Sequence, residues 1–412
     1  MSDFFDLREN QDTHCRELDL MARLGGLLSY AKQESAYYRD LLAHFDPTQI
    51  RNREDLALLP ITRKSDLIAM QKAMPPFAGI NSDSGKIERI FQSPGPIYDP
   101  ENTTQDWWRM GRAFHAAGFR SGDMVQNCLS YHLTPGGFIM DSGARACGCM
   151  VIPAGPGQTE QQLDLLEDLK PQGYCGTPSF LKILLDKAKE QQRDVSSLTK
   201  ALVTGEALFP AVRQQFKEAG IATLQAYATA DLGLIAYETI ADQGLVVAED
   251  IIVEIVRPGS LQPVAVGEIG EVVVTSLNLD YPLIRFATGD LSSVLTEASP
   301  CGRTNMRIRG WQGRADQTTK IKGMFVHPEQ VEKVRLAHPE MAKVRLEVAS
   351  SNHQDVMTLK CESSTILEAP QKLAVQQTLK AVTKLNGDVQ SFEIGELPND
   401  GLVIQDLRQS SS

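Results

Sequence analysis

The spacing of hydrophobic and polar positions changes twice along this 412-residue chain. Residues 12–44 carry apolar side chains at helical spacing, and from about residue 88 short apolar runs alternate with amphipathic segments of helix length. Such alternation is typical of parallel strands joined by crossover helices, so we expect a mostly parallel, layered α/β sheet. The predicted strands lie near residues 124–129, 149–153, 173–176, 200–204 and 222–227.

The pattern after residue 245 differs, because Val- and Ile-rich runs follow one another without helix-length segments between them. It predicts a β-rich subdomain over about 245–313, the last part of a large N-terminal domain of residues 1–314. Residues 315–412 read as a small α+β domain. We predict that this domain is mobile and that its hinge is Asp316.

Composition narrows the classes of function. The formal charge of −11 and the scattered Lys and Arg argue against nucleic acid as a partner. No run approaches the roughly 20 apolar residues that span a bilayer, and the first residues lack the pattern of a secretory signal. Seven scattered cysteines suit reduced thiols, so we expect a cytoplasmic protein without a membrane partner.

Small and polar residues follow the predicted strands. In α/β sheets the loops after the carboxyl ends of strands line the ligand crevice, so the chemistry is expected there. These loops are Ser93-Pro94-Gly95, Gly176-Thr177-Pro178, Gly205-Glu206-Ala207 and Tyr227-Ala228-Thr229-Ala230-Asp231.

Several segments, in the same order, resemble motifs of the adenylate-forming superfamily. Residues 227–231 are similar to its Tyr-Gly-x-(Thr/Ser)-Glu segment, and residues 286–290 (Phe-Ala-Thr-Gly-Asp) are similar to its Tyr-x-Thr-Gly-Asp segment. Residues 313–316 followed by 320–323 resemble its Gly-Arg-x-Asp hinge and glycine loop. Within that superfamily, residues 59–64, 151–153 with 159–160, and 325–328 resemble phenylacetate–CoA ligases.

The resemblance implies an ATP site, and elementary chemistry agrees with each role. Asp290 would accept hydrogen bonds from the ribose hydroxyls, and the planar guanidinium of Arg314 would clamp the ribose or a phosphate. Tyr227 would stack on adenine and Thr229 would reach the α-phosphate. Asp231 would bind Mg²⁺, a cation that prefers carboxylate oxygens, although the family has the longer Glu there. The nucleotide would also contact Ser93, Gly95, Gly205, Glu206, Ala207 and Ala228.

Simpler interpretations of single residues stay open. Asp290 after Thr-Gly is also typical of a turn or helix cap, and Arg314 with Asp316 is typical of a surface ion pair. Tyr227 at the end of a strand is also typical of a core residue. The order of all the motifs together favours the nucleotide site.

Two departures from the family bear on activity. The expected phosphate loop, residues 91–98, holds one glycine and two prolines, which lack the N–H donors that cradle a pyrophosphate. Leu402 stands where the family has the lysine that assists adenylation. Either the protein adenylates slowly, or another cation such as Lys320 or Lys322 supplies that charge, or the role of the protein has changed.

The resemblance also places an acyl pocket and argues against a zinc site. The loop with Tyr131, His132 and Gly136 would line the pocket and would suit an aromatic or similarly flat acid. Some family members hold zinc in the β-rich subdomain, but here only Cys301 of such a ligand set is present, so we expect no structural zinc.

Together these features predict an ATP-dependent carboxylate–CoA ligase, with ATP, Mg²⁺ and CoA as cofactors and a homodimer as the assembly. Two alternatives stay open. One is a non-catalytic or impaired nucleotide-binding homologue, which Leu402 would explain. The other is an adenylating ligase that passes its acyl group to an acceptor other than CoA.

Overall fold

The computed structural model describes residues 3–257, 260–315, 317, 319–326, 328–351, 354–398 and 402–409. The chain divides into two compact units, Met1–Gln312 and Gly313–Ser412. Within the described ranges, every helix is too short or too polar to cross a membrane.

The helices of the first unit begin at side chains that cap their N-termini. Asp12 accepts hydrogen bonds from the amides of His14 and Cys15, and Thr177 accepts one from the amide of Phe180. The helices are α1 Thr13–Glu34, α2 Ala36–Leu41, α3 Arg53–Leu56, α4 Leu67–Ala73, α5 Gly111–Ala116, α6 Gly136–Ala146, α7 Thr159–Leu169, α8 Pro178–Gln191 and α9 Pro210–Glu218.

The strands of the first unit form a nine-stranded sheet, a four-stranded sheet and a two-stranded hairpin. They are β1 Thr62–Arg63, β2 Ile87–Ser93, β3 Ile97–Asn102, β4 Met124–Asn127, β5 Met150–Pro153, β6 Gly173–Gly176, β7 Lys200–Val203, β8 Ala222–Thr229, β9 Gly233–Tyr237, β10 Leu245–Val247, β11 Ile251–Val256, β12 Gly270–Ser276, β13 Phe286–Ser292, β14 Val294–Leu295 and β15 Arg307–Ile308.

The nine-stranded sheet has the order β14-β15-β10-β9-β8-β7-β6-β4-β5, and its pairs from β8 to β5 are parallel. The loops that follow β6, β7 and β8 therefore meet at one edge. There the amide of Thr204 donates to the Gly176 carbonyl, and the Thr204 hydroxyl donates to the Ala226 carbonyl at 2.8 Å. The α/β layering of the parallel strands β4 to β8 and the β-rich segment after residue 245 confirm the predicted fold class.

Two local predictions were wrong because the backbone turns into the left-handed region. The sequence predicts a helix that carries Trp107, Trp108, Met110 and Phe114, but the helix begins only at Gly111, after positive φ angles at Asp106 (52°) and Arg109 (63°). The apolar run 281–286 predicts a strand, but the strand begins at Phe286, after a φ of 45° at Arg285.

The second unit is an α+β fold with its own core. The sheet order β20-β19-β18-β21 is covered by two helices, and the buried side chains include Leu346, Leu359 and Leu379. Its elements are β16 Thr319–Ile321, β17 Met324–Val326, α10 Pro328–Ala337, β18 Met341–Ser351, β19 Gln354–Ser363, α11 Ala369–Thr383, β20 Asp388–Phe392 and β21 Ile404–Asp406.

We expect residues 313–412 to fold by themselves, because this core is self-contained. In that fragment, Leu359→Ala should lower the free energy of unfolding by about 2–5 kcal/mol, since Leu359 is fully buried. The exposed Leu373 is the matched control, and its change to Ala should stay within about 0.5 kcal/mol. Urea unfolding measures both; a fragment without a cooperative transition would contradict the prediction.

Candidate functional site

Asp290 is the centre of a hydrogen-bonded group that joins the two sheets of the first unit. Its Oδ2 accepts a hydrogen bond from the Tyr227 hydroxyl at 2.9 Å, and its Oδ1 accepts one from Trp311 Nε1 at 3.1 Å. Tyr227 lies on β8 of the nine-stranded sheet, whereas Asp290 lies on β13 of the four-stranded sheet. The carboxylate is thus held in a fixed orientation at the place where the two sheets meet.

The Thr288 hydroxyl secures this arrangement from the backbone side. It donates to the Val272 carbonyl at 3.0 Å and accepts the Asp290 amide at 3.1 Å and the Tyr227 hydroxyl at 3.2 Å. Each oxygen of an ionised carboxylate can accept more than one hydrogen bond. Asp290 therefore keeps the capacity to accept the hydroxyls of a ribose.

Asp231 and Lys64 form an ion pair at the end of β8. Lys64 Nζ lies 2.9 Å from Asp231 Oδ2, and the Asp231 side chain is completely buried. Lys64 directly follows β1, which pairs with β13 in parallel and aligns Arg63 with Ala287. This register brings Lys64 to the same edge as Asp290.

The turn that carries Asp231 is fixed on both sides. The Thr229 hydroxyl accepts the amide of Leu232 at 3.2 Å. Gly233 follows with a φ of 70°, and a Cβ there would lie 2.8 Å from the Trp108 Cα, so only glycine fits.

Asp99 on β3 is a second buried carboxyl group near Asp231. Asp99 is 1% exposed, and neither of its carboxyl oxygens has a hydrogen-bond partner among the described residues. Burial, and then the negative charge of Asp231, raise the pKa of Asp99 to about 8, although Lys64 acts in the opposite direction. A carboxyl group without partners is an unusual feature of a protein interior.

The predicted phosphate loop is the turn between β2 and β3, here called the phosphate hairpin (residues 87–102). Ser93 and Ile97 face each other across the turn, and the Ser93 hydroxyl donates to the Ile97 carbonyl at 3.3 Å. Gly95 is exposed at the tip. The Gln71 side chain bonds both the amide and the carbonyl of Tyr98 at 2.7 and 2.8 Å, which anchors β3 beside Asp99.

The loop after β7 borders the same edge of the sheet. Gly205 and Glu206 are exposed and Ala207 is half-buried, and Glu206 accepts the Ser179 amide at 3.4 Å. Ala228 pairs with Leu234 on β9 next to Tyr227. The structure thus brings these predicted nucleotide contacts to the edge that also carries Thr229 and Asp231.

The predicted acyl loop contacts the phosphate hairpin, since the Gln92 amide donates to the Leu133 carbonyl at 2.8 Å. The Tyr131 hydroxyl accepts from Asn127 Nδ2 at 2.7 Å and donates to Asp141 at 3.2 Å. Burial raises the pKa of Tyr131. His132 is exposed, so no contact of the described structure supports its predicted part in the pocket.

Three aromatic rings meet beside this loop. The Phe138 ring lies 5.3 Å from the Tyr131 ring and 5.1 Å from the Phe91 ring, and the Arg89 guanidinium lies 5.2 Å from its centroid. Gly136 begins helix α6 at this point, and at the neighbouring Gly137 a Cβ would lie 2.8 Å from the Tyr131 ring. The loop can therefore pack this closely only with glycine there.

The remaining predicted residues belong to the second unit, so their approach to Asp290 stays a prediction. Arg314 and Lys320 lie before and within β16, and Lys322 occupies the turn after it with a φ of 47°. Leu402 is 38% exposed. The predicted hinge residue, Asp316, lies outside the described residues.

Sequence reasoning missed Trp311 and Asp99 and gave Lys64 no role. Lys64 belongs to the segment 59–64 that resembles phenylacetate–CoA ligases, so its position was a usable signal. Asp99 and Trp311 stand in unremarkable sequence, and their importance appears only from burial and from contacts across long stretches of chain.

One of the predicted site residues, Asp231, offers a ligand that fits Mg²⁺, the metal that the sequence implied. Asp231 has a buried oxygen, Oδ1, without a partner among the described residues, and carboxylate oxygens suit Mg²⁺. In the described part of the chain, no group of three or more His, Cys, Asp or Glu side chains forms a metal cluster. The expected lack of structural zinc stays a prediction.

Cys301, the one thiol of the zinc ligand set, has an unusual environment. Burial alone would raise its pKa, but hydrogen bonds from Ser299, Thr239 and Arg303 lower the pKa to about 7. Burial raises the pKa of Cys149 to about 11.

We therefore expect iodoacetamide to modify Cys301 with a midpoint near pH 7, because the thiolate is the reactive form. Cys149 should stay unmodified below about pH 9 in the folded protein. Peptide mass spectrometry after short pulses across pH 5–9 measures both rates. A midpoint for Cys301 above pH 8.5, the value of an ordinary thiol, would contradict the assigned hydrogen bonds.

Comparison with known proteins agrees with this geometry. Residues 102–279 match the family model described as AMP-binding enzyme. The phenylacetate-coenzyme A ligase of Thermus thermophilus is 33% identical over 338 residues, covering 77% of this chain and 75% of the relative. The enzyme of the same name from Escherichia coli is 29% identical and covers 91% of this chain and 90% of the relative.

Solved structures agree on the fold over the whole chain. A 2-hydroxyisobutyryl-CoA ligase, determined in complex with its acyl-adenylate and CoA, superposes with a TM-score of 0.83 at 23% identity. The match covers 99% of this chain and 93% of that structure. On the identity and coverage of the Thermus relative, this chain belongs to the phenylacetate–CoA ligase family of AMP-binding enzymes.

Proposed function

We propose that this protein is an ATP-dependent carboxylate–CoA ligase that acts through an acyl-adenylate. The observation that carries the proposal is the Asp290 carboxylate, which Tyr227 and Trp311 hold at the crevice edge in the place expected for a ribose. Named relatives of this activity match up to 91% of the chain, which favours the ligase over a non-catalytic binder.

The reaction proceeds in two half-reactions. In the first, a carboxylate oxygen of the acid attacks the α-phosphorus of ATP, and pyrophosphate leaves. In the second, the sulfur of a deprotonated thiol attacks the acyl carbonyl carbon, and AMP leaves. Rotation of the small unit about Asp316 between the two steps would let one site serve both, as in other hinge-closing enzymes.

Different residues of the first unit are proposed to contact different parts of the nucleotide. Asp290 binds the ribose, Thr229 faces the α-phosphate, and the 205–207 loop borders the adenine beside Tyr227. Mg²⁺, when bound with ATP, neutralises phosphate charge, and Asp231 is its proposed ligand. The Lys64 ammonium lies at the same edge and would face the phosphates.

The acid is proposed to be aromatic or similarly small and flat. The rings of Tyr131, Phe138 and Phe91 offer apolar faces, while the Tyr131 hydroxyl and its partners provide polar groups at one end of the pocket. CoA as the acceptor, a homodimeric assembly and a cytoplasmic location belong to the same proposal. The location is supported by seven cysteines that are all free.

ATP–pyrophosphate exchange with a panel of aryl and short-chain acids tests the first half-reaction. We expect exchange that depends on the acid in the wild type and faster exchange in Leu402→Lys. No exchange with any acid in either protein would contradict the proposal. Offering CoA and amines in turn as acceptors of the adenylate then distinguishes the thioester product from an amide.

A further inference from the structure

Two buried carboxyl groups are called here the carboxylate pair: Asp99 on β3 of the phosphate hairpin and Asp231 in the turn after β8. Asp99 is 1% exposed with both oxygens unpartnered among the described residues, and Asp231 has a fully buried side chain with Oδ1 unpartnered. Three carboxylate oxygens in this small region thus lack donors. Buried polar atoms of this kind commonly mark a missing ligand.

The two carboxyl groups influence each other, because burial and then the negative charge of Asp231 raise the pKa of Asp99. Ionisation of both groups would place two like charges in a low-dielectric interior, where they repel each other. The Ser93 hydroxyl donates to the Ile97 carbonyl at 3.3 Å, and its hydrogen bonding to Asp99 lowers the pKa of that carboxyl group less than burial and Asp231 raise it.

A third side chain points to the same place. Tyr281 is 3% exposed, and both carboxyl groups of the pair act on its hydroxyl electrostatically, together with a hydrogen bond to Gln71. This oxygen belongs to a different element from either carboxylate. The phenol and the two carboxyl groups supply oxygen atoms, the ligands that hard divalent cations prefer.

Lys64 already places positive charge at this location. Its Nζ donates to Asp231 Oδ2 at 2.9 Å, and the Lys64 side chain is 25% exposed, so the cluster reaches solvent on this side. An ammonium on a flexible four-carbon chain can withdraw without rearrangement of the backbone. Lys64 therefore neutralises the cluster in a form that a diffusible cation can replace.

The backbone positions of the pair are fixed before any ligand arrives. The Gln71 side chain anchors Tyr98, the neighbour of Asp99, by two hydrogen bonds, and Thr229 and Gly233 fix the turn of Asp231. Preorganised oxygen ligands lower the cost of binding a cation.

From this geometry we infer that Asp99 and Asp231 together bind one divalent cation of the Mg²⁺ class, and that Lys64 occupies its place in the unloaded protein. The inference rests on the proposed function and deepens it, because ATP would bring phosphate oxygens to the hairpin that carries Asp99. Asp99 then compensates for the short reach of Asp231, which stands where the family has Glu.

Binding of Mn²⁺ to the nucleotide-free protein, followed by electron paramagnetic resonance, tests the inference without any turnover. We expect one tight site in the wild type, at least tenfold weaker binding in Asp99→Asn and in Asp231→Asn, and about tenfold tighter binding in Lys64→Met, which loses the competing ammonium. A carboxyl group with only a structural role would not produce these opposite shifts.

Asp106→Asn is the matched control, and its Mn²⁺ affinity should equal that of the wild type. Asp106 is half-buried and also has a buried Oδ1 without a partner among the described residues, but Arg109 and Arg112 act on it instead of a second carboxylate. Thermal unfolding of each variant verifies that it is folded. If Asp99→Asn does not fold, the tighter Mn²⁺ binding expected of Lys64→Met tests the inference by itself.

Equal affinities in the wild type, Asp99→Asn and Lys64→Met would overturn the inference, as would the lack of any Mn²⁺ site in the wild type and Lys64→Met. ATP–pyrophosphate exchange in the same preparations separates this result from the parent proposal. If exchange occurs but the Mn²⁺ affinities do not shift as expected, the two-carboxylate site is contradicted and the ligase proposal is supported. If the Mn²⁺ affinities shift as expected but no exchange occurs, the cation site is supported and the ligase proposal is contradicted.

Discussion

Replacement of Asp290 by alanine should reduce affinity for ATP and AMP by about 10²- to 10⁴-fold. The carboxylate would accept two ribose hydroxyls, and each hydrogen bond to a charged group contributes about 1.5–3 kcal/mol. Tyr227 and Trp311 hold the carboxylate in place, so little conformational entropy is lost when it binds the ribose. Isothermal titration with AMP measures the loss directly, independently of the acid substrate.

Glu271→Gln is the matched control for this prediction. Glu271 lies on the neighbouring strand β12, is buried, and pairs with Arg63 at 2.9 Å, so it offers a similar carboxylate whose partner is Arg63 instead of Tyr227 and Trp311. Its change should leave AMP affinity within about twofold. Equal AMP affinity in Asp290→Ala and the wild type would contradict the assignment of the ribose site.

Replacement of Leu402 by lysine should accelerate adenylate formation by about 10²- to 10³-fold, the range typical of one preorganised charge-stabilising group. Leucine cannot place positive charge beside the reacting carboxylate and α-phosphate. The second half-reaction needs no such charge, so conversion of a preformed acyl-adenylate and CoA into thioester should change by less than about threefold. Single-turnover kinetics separate the two half-reactions.

Leu373→Lys provides the control, because it adds the same charge at an exposed leucine of the same unit. It should alter neither half-reaction. An equal acceleration by both lysines would assign the effect to net charge. An unchanged exchange rate in Leu402→Lys would show that position 402 does not approach the reacting atoms, and that Lys320, Lys322 or Lys64 supplies the charge.

The sequence predicted the parts of the site that depend on strand order. Parallel strands end at one edge, so Tyr227, Asp231 and the 205–207 loop were expected together and are found together. The bond between Tyr227 and Asp290 was beyond pattern reasoning, because it joins two sheets. The motif order nevertheless indicated that the two residues would meet.

Other features depend on tertiary structure that periodicity does not report. Asp99 is followed by three further buried residues of β3, so the alternation of the strand does not single it out, and its burial is set by tertiary packing. Asp106 and Arg109 adopt left-handed backbone angles, so helix α5 begins at Gly111, later than the apolar spacing predicts. Arg314 and Leu402 belong to the small unit. We propose that they act when this unit approaches the site, a movement that sequence patterns do not describe.

A crystal structure of the protein with AMP tests the central claim most directly. The account predicts both ribose hydroxyls within about 2.6–3.2 Å of the Asp290 carboxylate, the normal range of such hydrogen bonds, and the base beside Tyr227 and the 205–207 loop. Ordered AMP bound at another surface, without a contact to Asp290, would contradict it.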